Sequence, residues 1–164
     1  MGLSDTLRKA LPLVLLALAA VLVVLVLRGR GSSGPAPRVL RASWTLTPGV
    51  VNPDVTQATI RQTICVRGWT KTIRPPVEYT NELKRQGLAR YHLRGPPSAF
   101  QEDHLISLEL GGNPTDPRNL WPEPYPRAAA VDKIENELNH AVCGGRLTLA
   151  QAQREESGLK HRDG

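Results

Sequence analysis

The sequence predicts an α+β fold, a small single domain built on a β-hairpin and a following helix, with a transmembrane helix ahead of it. Three observations predict it. The apolar run over residues 105–110 closes in Gly111-Gly112, and dense turn chemistry (Asn113-Pro114-Thr115-Asp116-Pro117) separates it from a return strand beginning at Asn119-Leu120-Trp121. Val131, Ile134, Leu138 and Val142 recur at helical spacing. Residues 11–27 are apolar without interruption.

Residues 1–10 form a short N-terminal segment carrying Arg8-Lys9, and Arg28-Gly29-Arg30 follows the apolar stretch at once. At 1.5 Å per residue the stretch spans about 25 Å, within the lower range for a membrane helix. It reads as a membrane segment or a signal sequence. A cleavable signal favours a shorter apolar region and an Ala-x-Ala-like site, and neither is clear, so an uncleaved single-pass anchor is favoured over secretion after cleavage. Basic residues on both sides leave the orientation poorly fixed. Residues 28–43, with Gly31-Ser32-Ser33-Gly34-Pro35-Ala36-Pro37, read as a tether, residues 44–158 as the globular domain and residues 159–164 as a polar tail.

Within the domain, residues 58–65 read as a short helix or strand and residues 68–76 as extended. Residues 79–91 read as a helix capped by Thr80 or Asn81, with Leu83 and Leu88 inward. The Pro-rich piece before Arg127 postpones the next helix to about that residue. Residues 150–156 read as a short terminal helix, with frayed chain beyond Gly158.

The chemistry concentrates at Asp103-His104. Hydrolysis of a phosphodiester needs a base to deprotonate water, and imidazole, with an ordinary pKa of about 6.5, is neutral and available at physiological pH. His104 supplies that group. Charge developing on the phosphate oxygens is offset by a divalent cation on carboxylate oxygens, for which Asp103 is the nearest candidate. Neighbours on a strand point to opposite faces, so the two address one phosphate only where the strand ends or bulges.

The ordered set Glu102-Asp103-His104, apolar run, Gly111-Gly112 and Asn119-Leu120-Trp121 resembles the HNH endonucleases, whose fold is a ββα-metal hairpin and helix; the resemblance covers residues 102–140. It implies that Asp103 binds the metal, that His104 activates water and that Asn119 braces the histidine or its loop. The implied cofactor is a divalent ion: Mg, Mn or Zn. The family's last ligand position falls here on Ala128. Asp132, in the first turns of the helix, is the first choice for the missing ligand. His140, about 12 Å further along the axis, is the second. Cys65-Val66-Arg67-Gly68-Trp69-Thr70, Asp103-His104, Asn119-Leu120-Trp121-Pro122 and Val142-Cys143 together are similar to small exported bacterial HNH-like proteins. That similarity implies an extracytoplasmic domain.

Cys65 and Cys143 are the chain's two cysteines, and a single pair in an exported domain suggests a disulfide; two reduced thiols would fit a cytoplasmic orientation. The net charge of +6 is compatible with nucleic-acid binding and equally with anionic lipids or cell-wall polymers. Arg118, beside Asn119, is the candidate phosphate contact, within a basic set that includes Lys71, Arg74, Lys84, Arg85, Arg90, Arg94 and Arg127. With aromatic residues at 4%, backbone-directed binding is expected rather than a stacking platform. Two expectations follow. One is a membrane-tethered, metal-dependent nuclease acting on DNA or RNA with little sequence preference. The other is a noncatalytic extracytoplasmic protein that uses the same scaffold to bind a partner or polymer.

Overall fold

The computed structural model describes residues 40–162. The expected membrane helix lies outside these residues, and among those described no helix is long and apolar enough to cross a membrane. Six elements follow in order: α1 (Trp69–Ile73), α2 (Val77–Arg90), β1 (Phe100–His104), β2 (Leu120–Pro124), α3 (Tyr125–Cys143) and α4 (Leu149–Arg162). The fold is α+β, with four helices around one antiparallel pair.

The strands pair from Phe100 opposite Pro124 to His104 opposite Leu120. Alternation along β1 sends Glu102 and Asp103 to opposite faces. On the Glu102 face lies α2, where a Cβ on Gly87 would sit 3.0 Å from Pro122. The Asp103 face meets α3 and α4, through Glu135 and Lys160. The hairpin is thus covered on both faces.

The first strand ends where the sequence reading placed its start. Residues 105–110 are a buried loop, because the Asn119 side chain takes both backbone polar groups of Ile106 and Glu156 takes the Ser107 N–H. Only Leu105 keeps a cross-hairpin bond, its N–H donating to the Asn119 carbonyl. Leu105, Ile106, Leu108 and Leu110 are all buried and so is Ser107, so a core-lining loop here carries apolar positions spaced as a strand would have them. A 3₁₀ turn over Leu108–Leu110 leads to Gly111 at φ 74°. The paired glycines are sterically required. A Cβ at Gly111 would lie 2.5 Å from Val55, and one at Gly112 would lie 1.7 Å from the Ile106 carbonyl oxygen.

Helix starts also differ from expectation. Proline is tolerated in a first helical turn, where its missing N–H has no intrahelical partner, so α3 begins at Tyr125 with Pro126 inside it rather than near Arg127. For the same reason α2 starts directly after Pro76, and Thr80 bonds the Val77 carbonyl instead of capping. Residues expected to be extended form α1, since Gly68 turns the chain at φ 83° and lets Trp69 pack against the core. Residues 58–65 form successive hydrogen-bonded turns, neither helix nor strand.

The core gathers Val55, Ile60, Ile64, Ile106, Leu110, Leu138, Val142, Leu149 and Ala152. Each large aliphatic side chain buried this way contributes about 1.5–3 kcal/mol. Val131, Leu138 and Val142 face inward as their spacing predicted, with Ile134 half-buried. Cys65 and Cys143 form a disulfide across 78 residues of sequence, pinning the turn region to the end of α3.

Both domain edges shift outward. Ala42 is buried and donates its N–H to the Lys160 carbonyl, while Leu40 and Ala42 pack near Trp121, so the folded unit already includes part of the expected tether. At the other end α4 runs through Arg162 with Lys160 and His161 buried. The expected frayed tail is an integral helix, because its polar side chains find polar partners inside.

Candidate functional site

β1 ends at His104, the place where adjacent side chains can serve one space. Asp103 and His104 line a cavity of about 330 Å³ together with Asp132, Glu135 and Asn136 from α3 and Arg74 from the end of α1. Three of the residues singled out from sequence therefore converge: Asp103, His104 and Asp132.

His104 is oriented by a backbone acceptor. Its Nε2 lies 3.1 Å from the Pro114 carbonyl oxygen, which only accepts, so Nε2 carries the proton and Nδ1 keeps its lone pair. Nδ1 has no hydrogen-bond partner among the described residues. Burial holds the imidazole below its ordinary 6.5, against the opposing pull of the Pro114 carbonyl and Asp103. It is therefore neutral at physiological pH, as a general base requires.

Asn119 braces the loop rather than the histidine itself. Its Oδ1 accepts from the N–H groups of Val50 (3.2 Å) and Ile106 (3.0 Å), and its Nδ2 donates to the carbonyls of Ile106 and Asn113, each at 3.0 Å. The side chain is fully buried. Since Asn113 precedes Pro114, this hub also fixes the carbonyl on which His104 rests.

Behind Asp103 stands a group the sequence reading missed. The fully buried Lys160 ammonium lies 2.7 Å from Asp103 Oδ2, 2.7 Å from Glu135 Oε1 and 3.4 Å from Glu156 Oε1, and it also donates to the His104 carbonyl. Burial alone would raise the Asp103 carboxyl, but the ammonium outweighs it and holds the group below its ordinary value. Burial pushes Glu135 and Glu156 upward, Glu156 strongly. Burial would lower Lys160, yet the surrounding carboxylates raise it well above the ordinary lysine value. The ammonium stays charged. Glu102, on the opposite face, is pushed up to about 8 by burial, consistent with an Oε2 that has no partner.

Two expected residues lie elsewhere. His140 lines a separate cavity beside the Cys65–Cys143 disulfide. Arg118 is exposed and is held by Asp116 through Nε at 3.0 Å and Nη2 at 2.6 Å. Neither lines the Asp103–His104 cavity. Arg74 does; the sequence put it only within a broad basic set, and its place just before Pro75-Pro76 did not single it out.

The donor set can be tested against a metal. Among the described residues no three His, Cys, Asp or Glu side chains are grouped closely enough to hold an ion. A structural zinc site would want such a preassembled set. Magnesium keeps several waters and is bound through one or two carboxylates plus substrate phosphate, a demand that Asp103 and Asp132, which line one cavity, meet in kind. The residues thus fit an Mg²⁺- or Mn²⁺-type ion better than zinc. Comparison of the chain with protein-family models, curated proteins and solved structures finds no match.

Proposed function

We propose that this chain is a membrane-tethered nuclease of the HNH type, hydrolysing phosphodiester bonds of DNA or RNA with little sequence preference. The observation that carries this reading is the convergence of Asp103, His104 and Asp132 on one cavity, with His104 held in the tautomer that leaves Nδ1 open. The order β1, braced loop, β2, α3 supports the ββα likeness. The disulfide supports an extracytoplasmic, oxidising location.

In this mechanism the phosphodiester enters the cavity with its phosphorus facing the space beside His104. Nδ1 takes a proton from a water molecule, whose oxygen attacks phosphorus, while Nε2–H stays on Pro114 and keeps the ring aimed. Asp103 sits beside the ring and stabilises the imidazolium that forms. Asp132 and Asp103 are the residues that would hold a divalent ion, which when bound would offset charge on the phosphate oxygens. The leaving oxygen is protonated from solvent.

A specific observation favours the second reading, a noncatalytic binding protein. Lys160 already engages Asp103, and among the described residues no three-donor group is assembled. The metal response separates the two. Cleavage of plasmid DNA or of RNA is expected with Mg²⁺ or Mn²⁺ and not with chelator. Asp132→Ala is expected to raise the metal concentration needed by about tenfold or more, the scale on which altered ligand shells act. His140→Ala should leave it unchanged. Equal metal responses for the two variants would remove Asp132 from the site.

A further inference from the structure

Arg74 stands at the end of α1, beside the proposed site. It is the C-cap of α1, with extended backbone (φ −63°, ψ 127°), and Pro75 and Pro76 follow it, so its exit direction is fixed by a stiff segment. The side chain lines the same cavity as Asp103, His104 and Asp132. It is exposed and has no hydrogen bond or ion pair among the described residues, although carboxylates line the same space. Other cations near the hairpin are engaged: Arg118 with Asp116, Lys84 with the Phe100 carbonyl, Lys160 with its carboxylates.

A guanidinium is a planar fork of N–H donors that matches two oxygens of a phosphate. A cavity walled by Asp103, Asp132 and Glu135 repels an anion unless a cation stands at its edge. Arg74 is close enough for its charge to be felt at both His104 and Asp132. Resting on the nuclease reading above, we infer that Arg74 grips the non-bridging oxygens of the scissile phosphodiester and presents its phosphorus to the water beside His104. The guanidinium thereby replaces Arg118 as the phosphate contact of this site.

The test uses the full-length chain in detergent, with supercoiled plasmid and Mg²⁺, comparing wild type, Arg74→Ala, Arg74→Lys and Arg118→Ala. Arg74→Ala is expected to lower kcat/KM by about a hundredfold, as loss of a donor aimed at developing negative charge does. Arg74→Lys should recover part of that loss, because the charge remains while the fork is gone. Arg118→Ala should stay within about twofold of wild type. The melting temperature of Arg74→Ala should match wild type, since the side chain has no structural partner to lose. Active wild type with unimpaired Arg74→Ala overturns the assignment of Arg74 alone. Wild type inert toward both DNA and RNA overturns it together with the nuclease reading.

Discussion

Replacing Lys160 by Met should destabilise the fold by about 4 kcal/mol, because removing one partner of a buried ion pair leaves the others charged and unpaired. Here the loss is felt by several groups at once: Asp103, Glu135, Glu156 and the His104 carbonyl all turn toward the ammonium. Part of the deficit is relieved by proton uptake on the glutamates, whose burial already favours the neutral form. Asp103 has no such outlet without abandoning its ionised state. Urea unfolding followed by tryptophan fluorescence measures the loss. A decrease below about 1 kcal/mol, the scale of an exposed pair, would show that the cluster is solvated and that Lys160 does not hold Asp103 in place.

Asn119→Ala should cost about as much, about 4 kcal/mol. Four hydrogen bonds radiate from a side chain with no exposure, and truncation leaves the buried N–H and carbonyl of Ile106 and the half-buried Val50 N–H and Asn113 carbonyl without partners. Each such orphan costs about 1–3 kcal/mol, softened where water enters. Asn119→Asp is the informative companion. It keeps an acceptor for Val50 and Ile106 but sets a carboxylate oxygen against the carbonyls of Ile106 and Asn113, so it should also destabilise. The same urea experiment decides, and a variant as stable as wild type would mean that the loop over residues 105–113 holds itself. The variant should also loosen His104, whose ring rests on Pro114 immediately after Asn113.

These two side chains show what the sequence made legible and what it hid. Asn119 stood out because turn chemistry on one side and an apolar strand on the other framed it, and the helical spacing of Val131, Leu138 and Val142 placed α3 correctly. Cys65 and Cys143 suggested their own pairing. The strand was misplaced because Ile106, Leu108 and Leu110 alternate with Ser107 and Glu109 as a half-buried strand would, while the side chains of Asn119 and Glu156 take the backbone groups that a ladder needs. Lys160 was hidden for the opposite reason. In sequence the last turns of α4 are polar and read as a solvated tail, and only the folded positions of Asp103 and Glu135 make a lysine there an interior residue. The signal was faint: Leu149, Ala152, Glu156 and Lys160 share helical spacing, with Glu156 and Lys160 one turn apart. Asp132 was reachable from its place in the helix, whereas Arg74 depends on how α1 turns back, which a Gly68 conformation decides.

In the proposed nuclease Lys160 would share Asp103 with a divalent ion. The ammonium holds Oδ2 at 2.7 Å, Oδ1 lies 3.3 Å from the Gln101 amide, and the Glu123 side chain also bonds the carboxyl. The ammonium keeps the carboxylate ionised before any metal arrives. It also explains how the Asp103 carboxylate is retained in the core, where an uncompensated charge would be costly.

The most direct measurement of the central claim is the initial rate of plasmid nicking by the full-length chain with Mg²⁺ or Mn²⁺, wild type beside a folded His104→Ala variant. Loss of the base should lower the rate by at least about a hundredfold, the lower bound for general-base catalysis. Metal-dependent nicking that disappears in His104→Ala is the predicted result. Equal rates in the two proteins, or no cleavage of DNA or RNA by the folded, disulfide-bonded wild type with either metal, would contradict it and leave the noncatalytic binding protein as the reading to pursue.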